Sequence, residues 1–381
     1  MPTINLRERN MRSLSRRSLM SATAVGLLLT LSSGAVLAAN LPAGYPADYS
    51  KIVDAAVKEG KVSIYSTTDS AIVSSLLKDF EAAFPGIKVD YSDLNSTELY
   101  NRFIAEVASG QGTADLTWSS APDLQIKLAS GGYAMAYTSP EASHLPTWAN
   151  YKNTVYGTTA EPVTIIYNKR LLEPGDVPTS HEDLLKLMTT KGAALKDKVA
   201  AYDPERSGVG FYFFNQDELN WKSAWDLNRA FGKASLKLYT SAGAMVEKVR
   251  SGEHVMAYGI FGSYALATQA KDENLGIVMP RDYTLITTRA AFVPEKAKNP
   301  NAGKVFLDYL LSARAQKIIA GDAKLFGVRD DVKDGLTLQT VKEMFGATVK
   351  PIALDDSLLD GLDQTKRLKF LKQWQNAMKG Q

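Results

Sequence analysis

Three short segments rich in hydroxyl groups or glycine follow stretches that the sequence predicts to be strands. They are Ser66-Thr67-Thr68-Asp69-Ser70, Ser119-Ser120 and Asp203-Pro204-Glu205-Arg206-Ser207-Gly208-Val209-Gly210. In a parallel sheet the carboxyl ends of the strands share an edge, where helices begin with unpaired backbone amides. Hydroxyls and amides at the positive end of a helix dipole suit a carboxylate or a phosphate. The three segments therefore predict one anion-binding site.

The third segment is the most specific of the three. Gly208 and Gly210 let the backbone approach a ligand closely, and Arg206 offers a charged donor. The segment lacks the lysine that a nucleotide P-loop places after its second glycine. Taken singly, each segment is also an ordinary helix cap, because Ser, Thr and Asp are preferred at that position. Three such segments at one edge favour a binding site.

Two further segments are candidates to face a cleft. Thr158-Thr159-Ala160-Glu161-Pro162 precedes a buried strand, and Gly262-Ser263-Tyr264 follows another. The residue types in both segments are explained equally well by a role in hinge or loop structure. Arg289 could reach an anion, but the sequence favours a surface salt bridge for it. The predicted ligand contacts are Ser66, Thr67, Thr68, Ser119, Ser120, Thr159, Glu161, Asp203, Ser207, Gly208, Gly262, Ser263 and Tyr264, and the aromatic candidates for the remaining wall are Tyr65, Trp118, Tyr202 and Tyr264.

The composition argues against most catalytic and metal chemistry. The 381 residues include no cysteine, which excludes thiolate metal sites and a cysteine nucleophile. The 3 histidines leave few candidates for a polyhistidine metal site or a histidine-dependent proton relay. The Gly-x-Ser-x-Gly, His-Glu-x-x-His and dinucleotide glycine motifs are absent. Glu161 and Asp203 could form the acid–base pair of a glycoside hydrolase, but nothing fixes their separation. The sequence therefore predicts no enzyme, no cofactor and no resident metal.

Residues 1–38 have the features of a cleaved export signal. Five arginines and one acid precede an uncharged apolar run that small residues close near Ala38. A transmembrane helix is the alternative, which Ser, Thr and Gly within the run disfavour. Ser15-Arg16-Arg17-Ser18-Leu19-Met20 is similar to a twin-arginine motif, although Leu19 replaces the usual Phe, and Sec export stays open. Cleavage changes the net charge from +3 to −1, so no nucleic-acid partner is predicted.

The elements that must position these residues alternate between strands and helices. Strand, helix, strand, helix and strand follow one another from Lys61 to Trp118, and strands and helices recur after Val163. This order predicts a mostly parallel sheet with helices on both faces. Extended crossovers near 158–163 and 280–290 predict an α/β protein with two Rossmann-like lobes and a ligand cleft between them. We expect lobe 1 to comprise 39–160 plus about 285–325, and lobe 2 about 161–284 plus 326–381.

Several phrases spread along the mature chain carry a family resemblance. They are Lys61 to Ser66, Phe80 to Val89, Ala114-Asp115-Leu116, Ile166-Tyr167-Asn168-Lys169, Asp203-Pro204-x-x-Ser207-Gly208, Ala297-Lys298-Asn299-Pro300-x-Ala302 and Ser312-x-x-x-Gln316. Together they resemble the periplasmic solute-binding proteins of ABC importers with the two-lobed type II fold. The most similar branch binds ferric ion, phosphorylated sugars or aminoethylphosphonate. The resemblance implies a periplasmic monomer that delivers its solute to an inner-membrane ABC permease with its ATPase.

The ligand class divides this branch. Ferric binders of the family place two adjacent tyrosines after the strand that follows a Gly-Glu turn. Here the turn is Gly252-Glu253, and the loop after the strand reads Ile260-Phe261-Gly262-Ser263-Tyr264, with one tyrosine near that place. Ferric ion needs several anionic oxygens, which this loop does not supply. We therefore expect a small anionic solute, in the first place a phosphorylated organic compound, with ferric ion as the alternative and a secreted hydrolase as the third reading.

Overall fold

The computed structural model describes residues 45–346 and 348–381. The predicted export signal, residues 1–38, lies outside the described residues. In the described part of the chain, no helix has both the length and the apolar character needed to cross a membrane.

Strands and helices alternate over most of the described chain. The strands are β1 (Lys61–Ser66), β2 (Lys88–Asp93), β3 (Leu116–Ser119), β4 (Asn150–Tyr151), β5 (Val155–Gly157), β6 (Glu161–Asn168), β7 (Val199–Tyr202), β8 (Lys237–Tyr239), β9 (Met256–Phe261), β10 (Leu275–Val278), β11 (Thr284–Thr287), β12 (Ala290–Phe292) and β13 (Val349–Pro351). The helices are α1 (Tyr49–Glu59), α2 (Ser74–Ala83), α3 (Ser96–Ser109), α4 (Pro122–Ser130), α5 (His181–Lys191), α6 (Gly208–Asn220), α7 (Ala224–Lys233), α8 (Ala242–Ser251), α9 (Gly262–Gln269), α10 (Pro300–Leu311), α11 (Ala313–Ala320), α12 (Leu338–Phe345) and α13 (Gln364–Met378).

The first sheet has the strand order β2-β1-β3-β12-β5-β4. β1 pairs in parallel with both β2 and β3, as the strand–helix–strand order of the sequence predicts. Val62 and Ile64 on β1 are fully buried and belong to an apolar core that also contains Trp118 and Phe306. β12 comes from much later in the chain and lies antiparallel between β3 and β5.

The second sheet has the order β13-β11-β6-β9-β7-β8, and β10 also pairs with β6. β7 is parallel to β8 and β9, whereas β6 is antiparallel to β9. Helix α13 packs on this lobe through Trp374, which is fully buried with its ring centroid 4.5 Å from that of Phe214. Burial of so large an aromatic side chain ties the end of the chain to the second lobe.

Two adjacent crossovers, 158–160 and 288–289, connect the sheets. The amide of Thr158 donates to the carbonyl oxygen of Arg289 at 2.9 Å, and the Thr158 hydroxyl donates to the same oxygen at 2.8 Å. The amide of Arg289 donates to Oγ1 of Thr159 at 2.9 Å. The crossovers are thus held side by side partly by side chains. The predicted α/β architecture of two lobes with a cleft between them is confirmed. The predicted parallel pairing holds for β2, β1 and β3, but β12 and β6, the strands that follow the crossovers, run antiparallel to their neighbours.

Candidate functional site

A cavity of about 220 Å³ lies in the cleft, where the ends of β1, β3 and β7 meet. Its size suits a small organic molecule. The residues that line it come from both lobes: Thr67, Asp69, Asp93, Leu94, Asn95, Ser96, Ser120, Tyr202, Ser207, Val209, Thr240, Ser241, Ala242, Gly243, Phe261, Tyr264 and Arg289.

Two hydroxyl side chains form much of the wall in the first lobe. Thr67 and Ser120 follow β1 and β3, which are neighbours in the sheet. Oγ1 of Thr67 donates to Oγ of Ser120 at 2.8 Å and accepts from the Ser120 amide at 2.8 Å. Ser120 is buried, and within the described ranges its hydroxyl proton has no acceptor. The Ser120 hydroxyl is therefore available to donate to a solute.

Arg289 forms the floor of the cavity, and Glu161 lies behind it in a buried ion pair. Arg289 is 1% exposed and Glu161 is 0% exposed, and Nε of the arginine lies 2.6 Å from Oε1 of the glutamate. The hydroxyls of Ser263 and Thr159 also donate to Glu161, while Nη1 of Arg289 donates to Oγ1 of Thr68 at 2.8 Å. Burial lowers the pKa of Arg289, but the Glu161 carboxylate more than offsets this, so the pKa stands above its ordinary value.

The expectation of a surface salt bridge for Arg289 is wrong. Its ion pair is buried because Arg289 lies at the second crossover and Glu161 begins β6 immediately after the first. The hydrogen bonds between the two crossovers place these side chains together at the junction of the lobes.

Aromatic side chains of the second lobe form the opposite wall. Tyr202, at the end of β7, is 5% exposed, and in the described part of the chain its hydroxyl makes no side-chain hydrogen bond. Burial raises the pKa of Tyr202 well above its ordinary value and that of Tyr264 to about 12. Both phenols therefore keep their protons at neutral pH. The rings of Phe261 and Tyr264 have centroids 5.1 and 5.8 Å from Cζ of Arg289, within reach of a cation–π contact.

Three helices, α3, α6 and α8, begin at this cavity. Each start is fixed by a side chain that accepts a hydrogen bond from the third helical amide, and these capping residues are Asn95, Ser207 and Ser241. The positive ends of three helix dipoles therefore converge on one space. Ser207 is buried, and among the described residues its hydroxyl proton has no acceptor.

The starts of α3 and α6 also touch each other across the cleft. The amide of Val209 donates to Oγ of Ser96 at 3.3 Å, and the hydroxyl of Thr97 donates to the carbonyl oxygen of Arg206 at 3.2 Å. A Cβ atom added to Gly208 would lie 2.8 Å from Cδ1 of Leu124. The absence of a side chain at Gly208 thus permits this close approach, and the lobes meet here in a closed arrangement.

Two carboxylates also border the cavity. Asp69 follows β1 and Asp93 ends β2, and both are exposed. Partial burial raises the pKa of Asp93, the amide of Ser70 lowers it by donating at 3.2 Å, and the charge of Asp69 raises it again. Carboxylates thus oppose the positive helix ends within the same cavity.

The thirteen predicted contact residues divide between the cavity surface and the layer behind it. The residues at the surface are Thr67, Ser120, Ser207 and Tyr264. The residues behind it are Ser66, Thr68, Ser119, Thr159, Glu161, Asp203, Gly208, Gly262 and Ser263. Those behind hold the wall in shape: Oγ of Ser119 accepts from the Ala121 amide at 3.1 Å, and Oδ1 of Asp203 accepts from the Glu205 amide at 2.8 Å.

Sequence reasoning missed two segments that line the cavity. The first, Asp93 to Ser96, follows β2, and the second, Thr240 to Gly243, follows β8. Both have the signature used for the other loops, which is a polar segment between a strand and a helix. The second was hidden because β8 is three residues long and carries no clear alternation.

Within the described ranges, no group of three or more His, Asp or Glu residues is placed to hold a metal ion. Iron as a transported solute is a separate question, since tyrosine oxygens are also ferric ligands.

The fold and the cleft define the class of protein, a two-lobed substrate-binding protein of an ABC transporter. The structure superposes on the substrate-binding protein of an ABC transporter from Agrobacterium tumefaciens with a TM-score of 0.79 and 33% identity, covering 84% of this chain and 94% of that one. Residues 75–346 match the model of the bacterial extracellular solute-binding protein family. The chain belongs to this family. Its members act outside the cytoplasm, in the periplasm, and bind solutes for an ABC permease.

More distant structures share the fold. AfuA from Actinobacillus pleuropneumoniae, solved with exogenous fructose-6-phosphate bound, has a TM-score of 0.66 and 19% identity, over 84% of this chain and 99% of that one. The ferric binding protein from Campylobacter jejuni has a TM-score of 0.67 and 21% identity, over 83% and 99%. No curated protein matches the chain. The solute-binding relatives are consistent with the prediction that this chain is not an enzyme.

Proposed function

We propose that this protein captures a small organic anion in the interlobe cavity and delivers it to its permease. The observation that carries the proposal is a set of three hydroxyls at the cavity wall, on the buried residues Ser120, Ser207 and Tyr202, whose protons have no acceptor among the described residues. Donors that line a cavity and have no protein acceptor can donate to acceptor atoms of a bound solute. The set points to a solute rich in acceptor oxygens.

The surroundings of these hydroxyls favour an anionic group over a neutral one. Helices α3, α6 and α8 direct their positive ends to the cavity, and the guanidinium of Arg289 lies at its floor. Carboxylate and phosphate oxygens accept several hydrogen bonds at once and gain from such a field. Within this class a phosphorylated organic compound is the first candidate, supported by the fructose-6-phosphate in the distantly related AfuA.

Ferric ion is the second candidate, because four side chains that can supply anionic oxygens share the cavity. Tyr202 and Tyr264 lie with Asp69 and Asp93. Against this reading, burial raises the pKa of both phenols, so iron would have to displace two protons from them. The adjacent tyrosines typical of ferric binders in the resembling branch are replaced here by Gly262-Ser263.

A thermal-shift screen followed by calorimetry separates the candidates. Purified mature protein is tested with sugar phosphates, small carboxylates, inorganic phosphate and ferric citrate, and we expect stabilisation by an organic anion. Ser207→Leu should abolish this binding, whereas Ser130→Leu, at an exposed position, should leave it unchanged. Stabilisation by iron alone, with a tyrosinate absorption band, would exclude the anion proposal. Turnover of an added phosphate ester would show a hydrolase instead.

The route to the periplasm forms part of the proposal. We expect a signal cleaved near Ala38, export by the twin-arginine pathway, and a monomeric mature protein. N-terminal sequencing of the periplasmic protein gives the cleavage site, and Arg16→Lys/Arg17→Lys should block export if the twin-arginine route is used. Unchanged export of this variant would favour the Sec route, and light scattering gives the oligomeric state.

A further inference from the structure

We propose that the site accepts an anion carrying a single net negative charge and discriminates against a dianion. This inference rests on the proposed function and narrows its ligand class. The observation behind it is the arrangement of charged side chains around the cavity, in which Glu161 already pairs with the guanidinium at the floor. The ligand class consists of carboxylates, phosphodiesters, singly protonated phosphate monoesters, and dianions whose charge is offset by an amine of their own.

The single basic side chain among the described residues that line the cavity is Arg289. Its Nε lies 2.6 Å from Oε1 of Glu161, and Nη2 lies 3.4 Å from Oε2 of the same carboxylate. Both partners are almost completely buried, so water does not screen the pair, and the glutamate compensates the arginine charge locally. Arg289 can still donate hydrogen bonds to a solute, but it does not supply an uncompensated positive charge.

The groups that face the guanidinium from the other elements add no positive charge. They are the phenols of Tyr91 on β2, Tyr202 on β7 and Tyr264 on α9. The carboxylate of Asp69, after β1, faces the phenols of Tyr202 and Tyr264. Asp93 lies beside Asp69 at the end of β2. None of the chain's 3 histidines lines the cavity. Carboxylates therefore outnumber basic groups among the described residues around the cavity.

The remaining donors are neutral hydroxyls and the partial charges at helix ends. A helix terminus carries about half an elementary charge, which falls off within one turn. These donors satisfy one negative charge well, as in oxyanion recognition by hydroxyls and amides. A second negative charge would lie near Asp69 and Asp93 with no basic group to neutralise it. These groups select the solute by its charge. Recognition of its shape depends on the other residues of the cavity wall.

The pH dependence of binding tests the inference with a matched pair of probes. Glycerol 3-phosphate changes from monoanion to dianion around its second pKa of about 6, whereas glycerate is a monoanion from pH 5 to pH 8. If the monoanion alone binds, the affinity for glycerol 3-phosphate falls about a hundredfold between pH 5 and pH 8, in step with its monoanion fraction. The affinity for glycerate stays level. An affinity for glycerol 3-phosphate that is level or rises with pH overturns the inference.

Variants at the cavity mouth assign the discrimination to the carboxylates. Asp69→Asn/Asp93→Asn changes two exposed side chains, so folding is expected to persist, and it should strengthen glycerol 3-phosphate binding at pH 8 several-fold more than glycerate binding. An unchanged ratio overturns the role given to these residues. Glu161→Gln, with its folding checked by circular dichroism, should shift the ratio in the same direction. If none of the organic anions in the screen, including these two probes, binds at any pH, the proposed function itself fails, a result distinct from loss of the charge preference.

Discussion

The hydroxyl oxygen of Thr97 in the first lobe accepts a hydrogen bond of 3.1 Å from the backbone amide of Gly208 in the second lobe. The positive ends of helices α3 and α6 meet at this contact and would repel each other. The hydroxyl groups at the start of α3 lie between them and accept hydrogen bonds from the amides of α6. The amide of Gly208, a predicted ligand contact, therefore donates to a side chain of the other lobe in this closed arrangement. Closure and solute capture share the same helix ends.

Replacing Thr97 tests whether this contact stabilises the closed form. Thr97→Val keeps a similar shape but removes both hydrogen bonds of the hydroxyl across the cleft, from the Gly208 amide and to the Arg206 carbonyl oxygen. Each is worth about 1 kcal/mol, so solute binding should weaken at least about fivefold. Calorimetry with the solute found in the screen measures the change. The control is Thr189→Val on α5, whose exposed hydroxyl bonds within its own helix, at 2.7 Å from the Leu185 oxygen. Equal affinities for the two variants would contradict the prediction.

The hydroxyl of Tyr202 should contribute to solute binding, whereas that of Tyr258 should contribute to the stability of the fold. Tyr202→Phe removes a hydroxyl with no side-chain partner in the described chain, so binding should weaken about three- to tenfold with little change in unfolding free energy. Tyr258→Phe removes a buried donor that lies 2.7 Å from Asp217, so stability should fall by about 1–3 kcal/mol while binding persists. Urea unfolding and calorimetry measure both quantities, and the reverse pattern would exclude Tyr202 from the site.

The ion pair between Glu161 and Arg289 should show strong coupling. Arg289→Met leaves a buried carboxylate without its charged partner, and this should cost about 3–5 kcal/mol of unfolding free energy. Adding Glu161→Gln should restore much of that loss, because no charge then stays buried alone. The same cycle on the exposed pair Arg229–Asp226 should give less than about 1 kcal/mol. Additive effects at the buried pair would contradict this account.

Asp123 should make stability depend on pH. Burial raises the pKa of Asp123 to about 7, and its Oδ1 has no hydrogen-bond partner in the described part of the chain. The folded chain keeps a proton here that the unfolded chain releases near pH 4, so this contribution is full below pH 4 and is lost as the pH rises through 7. Asp123→Asn should therefore be more stable than the wild type at pH 8, by at most about 4 kcal/mol, with the gain vanishing near pH 4.

Urea unfolding at several pH values checks this trend against a carboxylate of opposite behaviour. Hydrogen bonds from Thr179 lower the pKa of Asp183, so its contribution is present above pH 4 and is lost as the pH falls. Asp183→Asn should therefore be less stable than the wild type at neutral pH. A stability gain of Asp123→Asn that is equal at pH 4 and pH 8 would show that its charge is not responsible.

The sequence predicts the fold well because hydrophobic periodicity is a local property. Alternation from Lys61 to Tyr65 and helical spacing around Leu76 and Phe80 match β1 and α2. Helix α2 begins at Ser74, after a turn in which the amide of Ile72 donates to the carbonyl oxygen of Asp69. Such turns depend on where the loop must lead, which local spacing does not encode.

The candidate site is less predictable because it depends on pairs that are distant in the chain. Loops after strands led to Thr67, Ser120 and Ser207, all at the cavity surface. The burial of Arg289 depends on Glu161, 128 residues earlier, through hydrogen bonds between the two crossovers. No spacing rule relates them. Short strands such as β8 likewise form because they pair with a neighbouring strand, which their own sequence pattern does not show.

The position of β12 has a consequence for how the chain is made. This strand, Ala290–Phe292, lies in the middle of the first sheet, yet the ribosome produces it after the entire segment that forms β6 to β11. Until then β3 and β5 present unpaired edges towards each other, and such edges are prone to aggregation. The nascent first lobe thus stays incomplete until most of the polypeptide has emerged. A truncated product that ends before residue 290 should be a substrate for proteases and chaperones.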